Sequence, residues 1–358
     1  MSRKKKIALG FLVALLAFGI VNRRWVVYLA HLAKHQLRVV FFKEQISERL
    51  KRSDIPAPQR QALETTLRIR QQVETLYGLR GSKSYRSFYD LGRKELGFNI
   101  TVAPALNLKP ESFRFWPIGS FDYLGFFDEA YANAWADEYR RRGFDVHVAA
   151  IGGYSTLGWF EDPLYSSQLD WGEAGLAYLL AHEIAHEKLY FENDTAFSEM
   201  LASFIEIKAG REYLASVGRP VNERQVAEKR KRRKELTAEL LMLRDSLEKI
   251  YESQAPDTEK LADKKKLIAD FNSRLRNRAA YFGMTTFPEI NNAALVQLHR
   301  YTPQGKAFEN LYENCRKAEP KSAYQCWFRE LEKLKRCTAA QRKRWVESDG
   351  EITGENCR

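Results

Sequence analysis

One five-residue motif, His182-Glu183-Ile184-Ala185-His186, constrains the fold more than any other feature of the chain. It lies within the apolar stretch Leu176–Leu189, which predicts a helix. On a helix the two histidines are one turn apart on the same face, so both imidazoles can reach one metal ion. Glu183 is adjacent, where it can take a proton from a water molecule acidified by zinc and later pass it to a leaving amine. The fold must therefore bring a further metal ligand to this helix.

The third ligand is predicted to come from the next helix. A catalytic zinc ion has three protein ligands and one open position. Glu199 lies thirteen residues after His186, on the predicted helix Thr195–Tyr213. The polar connection Phe191–Asp194 is long enough for this helix to double back onto the first. The sequence therefore predicts a single Zn²⁺ ion held by His182, His186 and Glu199.

Two further acidic residues lie close to this predicted site. Asp194 is the alternative third ligand, although its place before Thr195 is also typical of a helix N-cap, and Glu199 is favoured. Glu206 lies two turns beyond Glu199 on the same helix face. From there it could accept a hydrogen bond from one of the ligating histidines and orient its ring.

The chain before and around the motif is predicted to be mixed α+β over residues 45–218. Residues 45–92 read as helical, and Pro56 and Pro58 interrupt the start. Short strands are expected at 98–102, 112–116 and 121–127, followed by a helix at 128–142 with Asp128 as its N-cap. The alternation of Asp145–Ile151 predicts one more strand, which Gly152 and Gly153 end.

Beyond Pro220 the composition changes abruptly. Apolar residues recur every three or four positions on a charged background, which is typical of a coiled coil, and a turn at 255–257 reverses the chain. This pattern predicts a separable antiparallel helical arm over residues 219–280, inserted before a helical segment, 281–358, that returns to the core. The stretch 219–278 has 17 basic and 11 acidic residues, so it holds half of the formal net charge of +12. The apolar residues of the first arm helix are Leu236, Leu240, Leu243, Leu247 and Ile250.

The basic run Lys229–Lys234 is the one feature that could indicate nucleic-acid binding. No aromatic residue interleaves with it, and no recognised nucleic-acid module accompanies it. We therefore expect a solvated helix face and no nucleic-acid partner. An anionic lipid or an acidic peptide remains an alternative partner of the arm.

The N-terminus carries the layout of an export signal. The basic residues Arg3–Lys6 precede an uninterrupted apolar run, Ile7–Val21. The run is short for a spanning helix, which needs roughly 17–25 residues, and a buried core helix is the alternative. No small-residue cleavage site follows it, which favours an uncleaved signal-anchor over residues 1–44. The protein is then expected on the periplasmic side of the inner membrane, anchored by its N-terminus.

All four cysteines fall near the C-terminus, at 315, 326, 337 and 357. Their even number and an export signal predict two disulfides that staple a helical tail. Three pairings are possible. Zinc binding is the alternative, but its ligand pairs usually lie two to four residues apart, and these spacings are 11, 11 and 20.

Several long motifs closely resemble a bacterial family described as zinc aminopeptidases. They are the run from Tyr154 to Pro163 (YSTLGWFEDP), then HEIAH, then Asp194 to Glu199 (DTAFSE). The resemblance extends from about Tyr85 to Tyr213 and resumes at Asn291-Asn292-Ala293. It therefore covers both sides of the basic arm.

This resemblance implies a gluzincin-like metallopeptidase core, in which a small sheet accompanies the two active-site helices and the third zinc ligand is a glutamate. Related peptidases pair an extended substrate with an edge strand, the place of Asp145–Ile151 here. Tyr154, Gly158 and Trp159 would then line the cleft. Ser198 stands where many members have Asn, and this chain has no N-terminal cysteine to acylate, whereas many members resemble lipoproteins.

The function predicted from the sequence is zinc-dependent hydrolysis of peptide bonds, with Glu183 as general base and then acid. The chain lacks the Gly-x-Met-Glu-Asn motif that anchors the substrate amino group in gluzincin aminopeptidases, so hydrolysis is better supported than amino-end specificity. The competing function is a membrane-tethered interaction protein that acts through its basic arm and retains a vestigial zinc site.

Overall fold

Helices and short strands alternate along the chain, which confirms the predicted mixed α+β class. The computed structural model describes residues 22–79, 81–82, 84–115, 119–153, 161–192, 194–284, 289–298 and 305–350. The helices are α1 Arg23–Phe42, α2 Ile46–Arg49, α3 Ala57–Tyr77, α4 Glu129–Arg141, α5 Ser166–Leu169, α6 Gly172–Lys188, α7 Thr195–Ser216, α8 Glu223–Glu252, α9 Asp257–Asn277, α10 Asn292–Leu298, α11 Lys306–Ala318, α12 Ala323–Glu332 and α13 Ala339–Glu347, with a 3₁₀ turn at Lys333–Arg336. The strands are β1 Glu44–Gln45, β2 Ser87–Tyr89, β3 Gly97–Ala103, β4 Phe113–Phe115, β5 Gly119–Phe121, β6 Leu124–Phe126, β7 Asp145–Ile151 and β8 Leu164–Tyr165.

The largest core forms around α6, which packs between α3 and α7. Both α6 and α7 are apolar around most of their circumference, so each can be buried on several sides. The backbones of α6 and α7 approach closely where Gly210 meets the ring of Tyr178, because a Cβ at Gly210 would lie 2.5 Å from that ring. The Tyr77 hydroxyl of α3 donates to the Ala181 carbonyl of α6 at 2.9 Å, which ties the third helix to the same layer.

A second core lies under the sheet of order β6-β3-β7, whose strands are antiparallel. Strand β7 occupies its predicted bounds and pairs with β3 from Gly97↔Ile151 to Ala103↔Asp145. Helix α4 packs on this sheet and has the predicted N-cap, since Asp128 Oδ1 accepts from the Tyr131 amide at 2.8 Å. Helix α1 also packs there, so the second half of the predicted 1–44 segment contributes to the core.

The prediction that residues 45–92 are helical throughout is wrong. Helix α3 ends at Gly78, whose φ of +61° is the left-handed conformation that glycine adopts without strain. Strand β2 follows and pairs with β1 on one side and β8 on the other. These partners are distant in sequence, and a three-residue strand has little periodicity of its own. The expected strand at 121–127 is likewise divided between β5 and β6.

The helices α8 and α9 form the antiparallel hairpin over the expected stretch, and they do not stand free of the core. Leu243 and Leu247 of α8 and Phe271 of α9 form a cluster with Ile290 and α10. Lys264 of the hairpin also forms a buried ion pair with Asp145 at the start of β7, and Tyr251 bonds Asn292 of α10; the leucine spacing did not indicate either contact. Whether the hairpin can be removed without loss of the fold remains a prediction.

Helices α11 to α13 pack back onto α7 through large aromatic side chains such as Trp327 and Phe308. A disulfide joins Cys315 of α11 to Cys326 of α12, and Cys337 is also disulfide-bonded, whereas Cys357 lies outside the described residues. The apolar run Ile7–Val21 lies outside them too. Among the helices of the described residues, none is both long enough and apolar enough to cross a membrane.

The cluster between the hairpin and α10 should contribute measurably to stability. Leu247 is fully buried there, so Leu247→Ala should lower the free energy of unfolding by about 3 kcal/mol, from lost burial and the cavity left behind. Leu241, on the same helix, is 42% exposed, and Leu241→Ala should cost less than about 0.5 kcal/mol. Urea denaturation of both variants measures the difference. Equal, small effects would show that the cluster is not tightly packed.

Candidate metal centre

The antiparallel contact of α6 and α7 brings the three predicted ligands together. The Nε2 atoms of His182 and His186 lie 3.2 Å apart. Glu199 presents one carboxylate oxygen to each ring: Oε2 is 3.4 Å from His182 Nε2, and Oε1 is 3.4 Å from His186 Nε2. All the ligand atoms of this group lie within 4.8 Å of one another. The structure thus contains a His-His-Glu group that could hold a metal ion.

The spacing of these atoms fits one small tetrahedral ion. Zinc bonds of about 2.0–2.2 Å to nitrogen and oxygen place neighbouring ligand atoms about 3.3–3.5 Å apart in a tetrahedron. The nitrogen–nitrogen and nitrogen–oxygen separations of 3.2 and 3.4 Å are close to this range. Two imidazoles and a carboxylate are also ligands that zinc commonly takes in enzymes. The three side chains therefore need little movement to bind such an ion.

His182 is oriented by a second carboxylate. Its Nδ1 lies 2.7 Å from Glu206 Oε2, as the position of Glu206 on α7 predicted, so Nε2 is left to face the cluster. Burial disfavours the charged imidazolium, but hydrogen bonds to Glu199 and Glu206 outweigh it and raise the pKa of His182 to about 10. Burial likewise opposes the charge of Glu199, yet hydrogen bonds from both histidines lower its pKa to about 2. Without metal, a protonated His182 therefore offsets part of the negative charge of Glu199 and Glu206.

Glu183 lies beside the cluster and faces the end of β7. A Cβ built on Gly153 would be 3.8 Å from Glu183 Oε1, so strand and carboxylate are neighbours. Gly152 faces Trp171, the residue before α6, because a Cβ built there would lie 2.5 Å from the Trp171 ring. Burial, opposed in part by the two histidines, raises the pKa of Glu183. A carboxylate with a raised pKa is suited to accept a proton and to release it again.

Two residues near Glu183 were missed in the sequence. Tyr85 is fully enclosed, with a φ of +59°, which is rare for a bulky side chain and frequent at functional sites. Its amide donates to the Asp162 carbonyl at 2.7 Å. After burial, the nearby Glu183 contributes most to raising the pKa of Tyr85 well above its ordinary value. Tyr85 and Asp162 both lie within the stretches that resemble the family, and this was the sequence signal that could have identified them.

Asp194, the alternative ligand, has other partners. One carboxylate oxygen accepts from the Phe197 amide at 3.2 Å and caps α7, as its sequence position allowed. The other lies 2.7 Å from Nε of Arg342, a buried arginine of α13. Ser198 serves the same connection, because its hydroxyl accepts from the Phe191 amide and lies 3.1 Å from the Asp194 carbonyl. The Ser198 hydroxyl therefore stabilises the connection before α7 and does not bond the two histidines in this structure.

The remaining cleft candidates, Tyr154, Gly158 and Trp159, lie outside the described residues. Of the other three histidines in the described part, His31 and His35 belong to α1 and His147 lies on β7. Burial lowers the pKa of His147. None of the three belongs to the group of possible metal ligands.

The fold and site define an α+β protein in which a pair of packed helices presents a His-His-Glu group that could hold a metal ion, beside the carboxylate of Glu183. A family model described as "Putative aminopeptidase" matches residues 27–346, and the chain belongs to that family. The match begins within α1 and ends within α13, so it includes the helical hairpin. No curated protein and no solved structure matches the chain.

Removing each carboxylate should affect metal binding differently. Glu199→Ala should reduce zinc occupancy about as severely as His186→Ala, because each deletes one of three ligands. Asp194→Ala should leave most of the zinc bound and instead lower stability, since it removes a helix cap and leaves Arg342 buried without its carboxylate. Metal analysis of the purified variants after zinc loading measures this. The reverse order would make Asp194 the ligand.

Zinc affinity should rise with pH. With a pKa of about 10, His182 is protonated in the metal-free site at neutral pH, and zinc must displace that proton. Each unit of pH should therefore tighten zinc binding about tenfold between roughly pH 6 and 8. Competition with a fluorescent chelator measures the slope. Glu206→Gln removes one acceptor of His182 and should lower the pKa of that histidine, so the zinc affinity should stop rising at a lower pH. An unchanged pH profile would show that Glu206 does not control this proton.

Proposed function

We propose that the protein is a zinc-dependent peptidase with a gluzincin-like core. The observation that carries this proposal is the spacing of the His182, His186 and Glu199 ligand atoms, beside a carboxylate whose pKa burial has raised. Membership of the aminopeptidase family supports the same conclusion. When bound, zinc supplies the Lewis acidity that brings the pKa of a water molecule toward neutrality.

The chain's own residues have distinct roles in this proposal. His182, His186 and Glu199 hold the ion, and Glu206 fixes the His182 ring through Nδ1. Glu183 accepts the proton of the attacking water and delivers it to the departing amine nitrogen. Its carboxylate lies beside Gly153 at the end of β7, on the same helix as both histidines.

Strand β7 is the proposed binding surface for an extended peptide. Within the described residues, its pairing with β3 leaves the opposite edge of the strand without a strand partner. The Val146 carbonyl accepts from the Asn291 side chain at 3.1 Å, so it faces away from β3. Because backbone groups alternate along a strand, those of Val148 and Ala150 face the same way. A peptide paired there would extend toward Glu183.

We further propose that the active site lies on the periplasmic side of the inner membrane, tethered by Ile7–Val21. The basic residues before this run favour a cytoplasmic N-terminus, and a disulfide between Cys315 and Cys326 fits an oxidising compartment. On this placement the exposed basic stretch at the start of α8 would meet acidic peptides or anionic lipid rather than nucleic acid.

Glu183→Gln should retain zinc and lose turnover, because only the proton carrier is removed while the three ligands remain. We expect a fall in kcat of at least about a thousandfold, measured on a mixed peptide library by mass spectrometry. Chelation should abolish hydrolysis by the natural protein, and added zinc should restore it. Hydrolysis that ignores the chelator, or a protein without zinc and without activity, would refute the proposed reaction.

The same library distinguishes amino-end from internal cleavage. Peptides with a free amino terminus and their N-acetylated counterparts should be compared at equal concentration. Removal of single residues only from free peptides would assign aminopeptidase action, whereas equal internal cleavage of both would assign endopeptidase action.

Placement can be tested with a reporter fused after Arg358. A reporter that is active only outside the cytoplasm should be active, and the cysteines of freshly isolated protein should resist thiol labelling until reduced. Activity of a cytoplasm-dependent reporter, or immediate labelling of all four cysteines, would place the protein in the cytoplasm instead.

A further inference from the structure

The start of β7 is held by polar contacts that the metal site does not require. Lys264 of α9 is only 8% exposed, and its ammonium group lies 2.7 Å from Asp145 Oδ2. The same ammonium donates to the Ala105 carbonyl at 2.8 Å. Asp145 is the first residue of β7, so the hairpin contacts the start of this strand. The other end of β7 lies beside Glu183.

Asn292, fully buried at the start of α10, completes this group. Its amide N–H donates to Asp145 Oδ2 at 2.8 Å, and its side-chain amide donates to three carbonyls of the turn that follows β3, at 3.0 to 3.2 Å. The Tyr251 hydroxyl of α8 donates to Asn292 Oδ1 at 2.8 Å. Helix α9 therefore reaches the Asp145 carboxylate directly, and α8 reaches it through Asn292. We call Lys264, Asp145, Asn292 and Tyr251 the strand-anchor cluster.

The direction of these contacts restricts how β7 can move. A buried ammonium is stable only where a carboxylate and carbonyl oxygens replace its hydration, so Lys264 tolerates little displacement of Asp145. The Asn291 side chain donates to the Val146 carbonyl, and the Asn292 side chain donates to the turn after β3, so both segments are attached to the start of α10. Any shift of the strand would move the outward backbone groups of Val148 and Ala150 with it.

We propose that Lys264 is a positioning residue for peptide binding, and that the hairpin sets the affinity of the cleft by fixing β7 through Asp145. This inference rests on the proposed function, in which β7 pairs with an extended substrate. It gives the inserted hairpin a role in recognition that does not involve its exposed basic run. No residue of the strand-anchor cluster belongs to the metal-ligand group.

The test compares Lys264→Met with Lys265→Met in the full, zinc-loaded chain. Lys265 is exposed and adjacent, so the second variant has the same change of charge without the buried contact. Lys264→Met should raise KM about tenfold with kcat within about twofold of the natural protein, and should speed amide exchange over 145–151. Zinc content should not change. Lys265→Met should match the natural protein, and Lys264→Arg, which keeps a cation, should recover part of the affinity.

Three results would overturn this inference: unchanged exchange over 145–151, an unchanged KM, or an equal loss in both lysine variants. If Lys264→Met does not fold, Tyr251→Phe decides, because it deletes only the hydroxyl that bonds Asn292. It should raise KM by a smaller factor, and an unchanged KM would overturn the proposal. Absence of chelator-sensitive hydrolysis in the natural protein would refute the proposed function instead, while amide exchange would still report on Lys264.

A separate observation concerns α1, which is apolar on two faces. Trp25, Tyr28 and Leu32 pack into the sheet core. Six large apolar side chains elsewhere on the helix are exposed, half of the twelve exposed ones in the described residues. Phe41 and Phe42 are the most exposed, at 74% and 75%. This concentration of exposed apolar side chains on one helix indicates a surface that makes contact with a partner. The six are Val26, Val27, Leu29, Leu37, Phe41 and Phe42.

The charge of α1 indicates what it contacts. The helix contains no acidic residue, and its Arg38 lines a cavity of about 90 Å³ together with Arg93 and His35. Burial and neighbouring positive groups lower the pKa of His35 to about 4, so the two arginines supply the charge there. The apolar run Ile7–Val21 immediately precedes this helix in the sequence. In a phospholipid bilayer the acyl chains lie beneath the headgroup phosphates. Exposed apolar side chains beside arginines can contact both layers.

We infer that α1 lies on the surface of an anionic phospholipid bilayer. Leu37, Phe41 and Phe42 enter the interface, and the cavity of Arg38 and Arg93 receives a headgroup phosphate. The described cysteines are disulfide-bonded, so a substituted cysteine can carry a single environment-sensitive fluorophore. Phe41→Cys reports on α1, and Met242→Cys, 69% exposed on α8, is the matched control.

Both labelled full-length proteins are reconstituted in phosphatidylcholine vesicles with and without phosphatidylglycerol. The probe at 41 should shift to the blue and resist an aqueous quencher when phosphatidylglycerol is present, while the probe at 242 stays accessible. Replacing both Arg38 and Arg93 by Gln should reduce that protection. Equal quenching at the two positions in vesicle-bound protein would overturn the inference. So would loss of protection on adding inorganic phosphate, which would identify the cavity as a site for free phosphate.

Discussion

The close antiparallel contact between α6 and α7 is the constraint on which the rest of the site depends. The histidines lie on one helix and the carboxylates that face them on the other, so their distances are set by how nearly the two backbones approach. Gly210 permits that approach by leaving room for the ring of Tyr178. With a larger residue there the helices would separate, and Glu199 and Glu206 would both retreat from His182.

The electrostatics of the site explain why such an arrangement is tolerable before metal binds. Three carboxylates and two imidazoles share a small volume, and repulsion between the acids would oppose folding if they were alone. His182 is held between Glu199 and Glu206, where those two hydrogen bonds raise its pKa to about 10, so it contributes a positive charge in the metal-free protein. The proton on His182 thus substitutes for part of the charge that a metal ion would bring, and it keeps the ligand atoms near their binding positions.

The sequence predicted elements whose signal is local, and it failed where partners are distant. Strand β7 appears within its expected bounds, because seven residues of alternation and two glycines specify it without reference to the fold. The His-His-Glu group followed from helical spacing and one short connection. Strand β2 was missed because its three residues are defined by pairing with β1 and β8. The strand-anchor cluster was missed for a similar reason: Lys264 and Asp145 are ordinary charged residues until the fold buries them together.

Two buried ion pairs follow one pattern. Lys264, on the hairpin, reaches back to Asp145 at the start of β7, and Arg342, near the C-terminus, reaches back to Asp194 at the start of α7. Each cation comes from a late segment, and each carboxylate opens an element that carries part of the site. Buried pairs of this kind add little net stability compared with apolar packing, but they are costly to leave half-formed. The late segments therefore contact the first residues of β7 and α7 through pairs in which neither partner can be removed without leaving the other buried and uncompensated.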